Sequence, residues 1–160
     1  MSVVRRRDSR ICVMQGLYAL ELSQDNPLHI IETIFTPLKT DDKNFHFAKQ
    51  LFIKTIEHQN EIDELLKKKL EHWEFHRVAL LDKILLRIGI CEFLFFDDIP
   101  PKVSINELIE IAKEFSTDNS GQFVNGMLDA ILLSLKKEGK IQKQGRGLLD
   151  TAIKPTSPEE

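Results

Sequence analysis

Residues 77–96, RVALLDKILLRIGICEFLFF, decide the architecture. Their apolar side chains fall almost all round a 3.6-residue spiral, whereas a surface helix keeps them to one stripe. The segment therefore reads as a central helix packed on several sides. It stops at Asp97-Asp98-Ile99-Pro100-Pro101, because the paired prolines cannot continue a helix. Its most apolar run, Ile84 to Phe96, is 13 residues long and contains Arg87 and Glu92. That is too short and too charged to span a bilayer.

The same period extends in both directions. In residues 9–22, Val13, Gly16, Leu17 and Leu20 share one face. Pro27 is placed to begin a short helix through about Leu38. Residues 43–72 read as one long helix or two consecutive ones, with Phe47, Leu51, Ile56, Ile62, Leu65, Leu66 and Leu70 as the apolar series. Ser104 and Glu107 have the spacing of a capping box, which would start a helix running to about Phe115. The last helix, 120–137, would be capped by Asp118 or Ser120. From Gly139 onward glycine and proline rise and large apolar residues thin out. A single domain over 1–138 and a flexible tail over 139–160 are expected. The fold class is all-α, with about seven helices.

Composition excludes several classes. The chain has 160 residues, 42% hydrophobic and 29% charged, which suits one globular domain with a real core. Seven glycines and six prolines are few against the usual ~12% of residues, which argues against an all-β fold of many short strands. Cys12 and Cys91 stand far apart in apolar stretches and form neither a disulfide framework nor a CxxC motif, as expected in a reducing compartment. The N-terminal MSVVRRRDSR lacks the apolar core of a secretory signal. A soluble, cytoplasmic protein with no membrane partner is the expectation.

No catalytic arrangement emerges. His72 and His76 stand four apart in EHWEFH, but Trp73 occupies the place where a zinc protease needs its glutamate. They read as a surface pair at a helix end. The Asp97-Asp98 doublet before the prolines reads as a turn. Glycine-rich phosphate loops, nucleophile elbows and triads are all missing, and neither cysteine has a basic neighbour in sequence to activate it. The chain reads as no enzyme, with no cofactor and no metal.

Charge is the informative signal. Net charge is −3, yet four of the seven arginines lie at positions 5, 6, 7 and 10. Fifteen lysines were available for simple solvation, and arginine's planar fork suits phosphates and base edges. Residues 78–135, by contrast, hold four basic and nine acidic side chains. At ~100° per residue, Arg7, Arg10, Met14 and Tyr18 lie within ~80° of one another, opposite Val13, Gly16, Leu17 and Leu20. Guanidinium groups for phosphates and an aromatic ring for stacking are how single-stranded nucleic acid is held. Tyr18 at the core edge with its hydroxyl out fits the same pattern.

RRRDSRICVMQGLYALELSQ, DKILLRIGICEFLFFDDIPPKVSINELIEIAKEF and DNSGQFVNGMLDAI resemble the NusB family of bacterial transcription antitermination factors, from about Arg5 to Leu135. The strings Asp98 to Glu107 and Phe123 to Gly126 carry the resemblance most specifically. It implies two packed three-helix bundles without catalysis. It also implies binding of the boxA element of nascent ribosomal RNA jointly with NusE, a small-subunit ribosomal protein, in a complex that helps RNA polymerase ignore termination signals. Carried over by position, the RNA-binding residues are Arg5, Arg6, Arg7, Arg10, Tyr18, Phe115 and Phe123. Asp82 is the NusE-facing acid. Phe123 also falls in the apolar series of the last helix, so core packing stands beside its RNA role.

The chain departs from the family pattern in places. Asp8-Ser9-Arg10-Ile11 replaces a common Ala-Arg-Glu, which sets an acid among the arginines. Asp118-Asn119 replaces a common acidic pair, and the tail beyond Gly139 has no counterpart. A homodimer of the free protein that hides the arginine face stays open. So does a second function class, a helical protein-interaction adaptor whose arginines meet an acidic protein.

Overall fold

The computed structural model describes residues 3–71 and 74–149, and within them the chain forms seven α-helices and no strand. They are α1 (Arg6–Ser23), α2 (Pro27–Ile34), α3 (Asp42–Glu57), α4 (Gln59–Lys69), α5 (Leu80–Phe95), α6 (Pro101–Phe115) and α7 (Asp118–Lys137). α1, α2 and α3 pack as one three-helix bundle and α5, α6 and α7 as the other, with α4 against α5 and α7. α5 touches α1, α3, α4, α6 and α7, which is why its sequence is apolar all round. Ile84, Leu85, Leu86, Ile88, Ile90, Cys91 and Phe93 are all fully buried. At Gly89 the neighbouring helices come so near that a Cβ would stand 2.8 Å from Leu128 and 3.1 Å from Leu108.

Two of the charges within α5, Arg87 and Glu92, are pins. Arg87 donates bidentately to Asp63 of α4, at 2.8 and 3.0 Å. Glu92 accepts from Arg10 of α1 and from the Ser104 hydroxyl of α6. Buried charges survive only when paired and hydrogen-bonded, and each of these pairs ties α5 to a different helix.

Several boundaries differ from the sequence expectation for identifiable reasons. α1 begins at Arg6, so the arginine cluster is the helix's first turn rather than a loose arm. Asp8 closes that turn: its carboxylate accepts the Arg5 backbone N–H at 2.7 Å, placing negative charge at the positive end of the helix dipole. The span 43–72 takes the second of its two expected forms, two consecutive helices, α3 and α4, that meet at His58. α6 starts at Pro101, and Ser104 with Glu107 is no capping box, because Ser104 bonds Glu92 and Glu107 bonds Arg7. α7 is capped by Thr117, whose hydroxyl accepts the Ser120 N–H at 3.0 Å.

Over 139–149, where the sequence leads to the expectation of a flexible tail, the chain is hydrogen-bonded to the end of α5. Lys143 donates to the carbonyls of Glu92 and Phe96 at 3.0 and 2.7 Å, adding a charged donor to carbonyls that already accept the Phe96 and Ile99 N–H groups. The Gln144 N–H donates to the Asp97 carbonyl at 2.9 Å, and a 3-10 turn follows at Gly145–Leu148. This segment is a strap across the end of α5. Residues 150–160, together with His72 and Trp73, lie outside the described residues. Among the described residues, no helix is long and apolar enough to cross a membrane, and no group of His, Cys, Asp and Glu side chains could hold a metal ion. Cys12 and Cys91 are buried, and burial pushes their thiols up to about 11 and about 12.

Candidate nucleic-acid interface

The first turn of α1 forms one wall of a cleft of about 580 Å³, lined by Arg5, Arg6, Arg7, Arg10 and Arg146 and by the carboxylates of Asp98 and Glu107. The arginines are far from equivalent. Arg10 is 1% exposed. Its guanidinium grips Glu92 through two hydrogen bonds of 2.7 and 2.8 Å. Burial pulls that guanidinium down, but the charge and hydrogen bonds of Glu92 overcome it and hold it above its ordinary value. The expectation that Arg10 faces RNA is therefore corrected: its fork is filled by Glu92 in the core. Met14, expected on the same outer face, is likewise buried.

Arg7 donates bidentately to Glu107 at 2.7 and 3.0 Å. Hydrogen bonding to Arg7 holds the Glu107 carboxyl below the usual range despite partial burial. Arg5 is exposed and meets Asp8 at 3.3 Å through one nitrogen, the kind of surface pair that contributes little.

Arg6 is different again. Its Nε donates to Asn44 Oδ1 at 3.1 Å and its guanidinium lies 4.0 Å over the Phe47 ring. Asn44 is itself fixed, since its amide donates to the Val4 carbonyl and its own carbonyl accepts from Ser9. Burial and the positive charge of Arg10 hold the Arg6 guanidinium below its ordinary value. Arg6 makes no ion pair among the described residues, so its planar fork is positioned and unfilled.

Farther along α1 lies a second, apolar hollow of about 510 Å³, lined by Met14, Gln15, Tyr18, Ala79, Leu80, Leu81 and Phe115. Tyr18 is 41% exposed and Phe115 39%, so both rings have open surface. Phe123 lines neither hollow; it is half-buried and packs against the core. Asp82 sits in the first turn of α5 and is only 7% exposed. One of its oxygens accepts from Ser120 at 3.3 Å, while Oδ1 is buried with no hydrogen-bond partner among the described residues. Burial pushes its carboxyl up.

The structure thus brings Arg5, Arg6, Arg7 and Arg10 to one cleft and Tyr18 and Phe115 to a neighbouring hollow, and leaves Phe123 and Asp82 outside both. Sequence reasoning missed Asn44 and Phe47, which position Arg6 from α3 and carry no local signal. It also missed Arg146. An arginine between two glycines, in a chain with only seven arginines, was the available clue.

The NusB family model matches residues 7–133. The transcription antitermination protein NusB of Salinibacter ruber is 46% identical over 147 residues, covering 90% of this chain and 91% of that protein. A T. maritima NusB structure superposes with a TM-score of 0.75 at 36% identity, covering 82% of this chain and 93% of that one. A structure of antitermination factors NusB and NusE with double-stranded RNA shares the fold, with a TM-score of 0.70 at 24% identity, covering 81% and 96%. The chain belongs to the NusB family.

Proposed function

We propose that this chain is a transcription antitermination factor that binds the boxA element of nascent ribosomal RNA as a single strand. It binds together with NusE, in the cytoplasm, as part of the complex that lets RNA polymerase pass termination signals, and it acts by binding alone. The observation that carries this reading is the layout of α1. A positioned, unfilled guanidinium at Arg6 stands in a cationic cleft, and the open rings of Tyr18 and Phe115 lie along the same helix. Phosphates suit the first and bases the second. Nine acidic side chains over 78–135 would complement a basic ribosomal protein.

Each phosphate contact adds about 0.7 to the slope of log affinity against log salt for a single strand. Arg6, Arg7 and Arg10 together would contribute roughly 2 on that rule, but Arg10 is spent on Glu92. Arg6→Gln is expected to flatten the slope by about 0.7 and to weaken boxA and scrambled RNA alike. Tyr18→Ala is expected to cost about 1–3 kcal/mol with little change in slope, because stacking is nearly independent of salt. Fluorescence anisotropy over a salt series reads both terms, after circular dichroism shows intact helix content. An unchanged slope in Arg6→Gln would remove the cleft from the RNA site and favour an acidic protein partner instead.

A further inference from the structure

The strap over 141–148 carries a guanidinium to the cleft from the far end of the chain. Arg146 is exposed in the Gly145–Leu148 turn and lines the same cleft as Arg5, Arg6 and Arg7. Its place is held by contacts that do not involve its own side chain. Lys143 bonds the Glu92 and Phe96 carbonyls, and the Gln144 N–H bonds the Asp97 carbonyl. Gly147 is buried where a Cβ would overlap the Asp97 carbonyl, so only glycine lets the turn lie this close.

Charge in the cleft is unevenly spent. Arg10 is committed to Glu92 and Arg7 to Glu107. Arg6 and Arg146 make no ion pair among the described residues, which leaves two guanidinium groups with open forks in one cavity. A volume of about 580 Å³ falls within the range of pockets that take small ligands, about 300–1,000 Å³. Two planar forks in a concave, net positive site suit the oxygens of a phosphodiester. Arg146 lies outside residues 7–133 that the family model matches.

We propose that Arg146, held in place by the docked strap, joins Arg6 in gripping a backbone phosphate of the bound RNA strand. The C-terminal strap is then part of the RNA site. This rests on the RNA-binding function proposed above, and the test separates the two. The probe is a fluorescein-labelled single-stranded boxA RNA, titrated with the full-length protein from 0.05 to about 0.5 M salt, a range chosen to resolve the slope.

Arg146→Gln is expected to lower the slope by about 0.7, equivalent to roughly five-fold weaker binding at 0.1 M salt relative to 1 M. Arg146→Lys keeps the charge and should retain the slope. Gly147→Ala leaves Arg146 intact but pushes the turn off Asp97, and should reproduce the Arg146→Gln loss. Full slope and affinity in Arg146→Gln, with a salt-dependent wild type, would overturn the strap's role and leave RNA binding standing. A wild type that binds this RNA without salt dependence would overturn both.

Discussion

Arg10→Ala is expected to lower unfolding stability by about 3–5 kcal/mol, the cost of stranding one partner of a buried ion pair. The side chain lost is one of the largest fully buried ones, and the group it leaves behind, Glu92, is 0% exposed. Glu92 would keep the Ser104 hydroxyl at 2.6 Å, but a single neutral donor cannot replace a bidentate guanidinium. Urea denaturation measures the loss. The double variant Arg10→Ala/Glu92→Ala should cost less than the sum of the single variants, because removing both charges removes the unpaired one. The salt slope of RNA binding should not change in the folded Arg10→Ala protein. A loss below about 1 kcal/mol, within the range of ordinary surface pairs, would contradict the buried pair.

Ile88→Ala is expected to cost about 2–5 kcal/mol, from lost transfer free energy plus the cavity left behind. Ile88 is 0% exposed, midway along the helix on which both bundles pack. The site has little room to collapse, because at the adjacent Gly89 the side chains of Leu128 and Leu108 already crowd the α5 backbone. Chemical denaturation with an unchanged m-value is the readout, since the surface exposed on unfolding should stay the same. A loss under about 0.5 kcal/mol, typical of surface substitutions, would mean that Ile88 does not sit in the core.

How much could be read from the sequence follows from where each signal lies. The central helix was legible because periodicity and the proline stop are local. The arginine cluster was legible too, since four arginines in six positions stand out in a chain with seven. Which arginines remain free was not legible. The carboxylates that fill Arg10 and Arg7 lie 82 and 100 positions away, and no local pattern links them. Ser104 and Glu107 mimicked a capping box because a spacing of three serves equally well for two side chains aimed at other helices. The strap is not legible because its low apolar content carries no packing signal. It is held instead by Lys143 and backbone hydrogen bonds on the carbonyl end of α5. Phe47 and Asn44 are ordinary helix residues in sequence and become platforms for Arg6 only through the packing of α3 on α1.

The most direct test of the central claim is a titration of the wild-type protein with boxA single-stranded RNA and a scrambled strand of equal composition, each with and without NusE. Salt-dependent binding to both strands, a preference for boxA, and tighter boxA binding when NusE is present are the expected results. Equal affinity for the two strands with no gain from NusE, or no RNA binding at all, would contradict it.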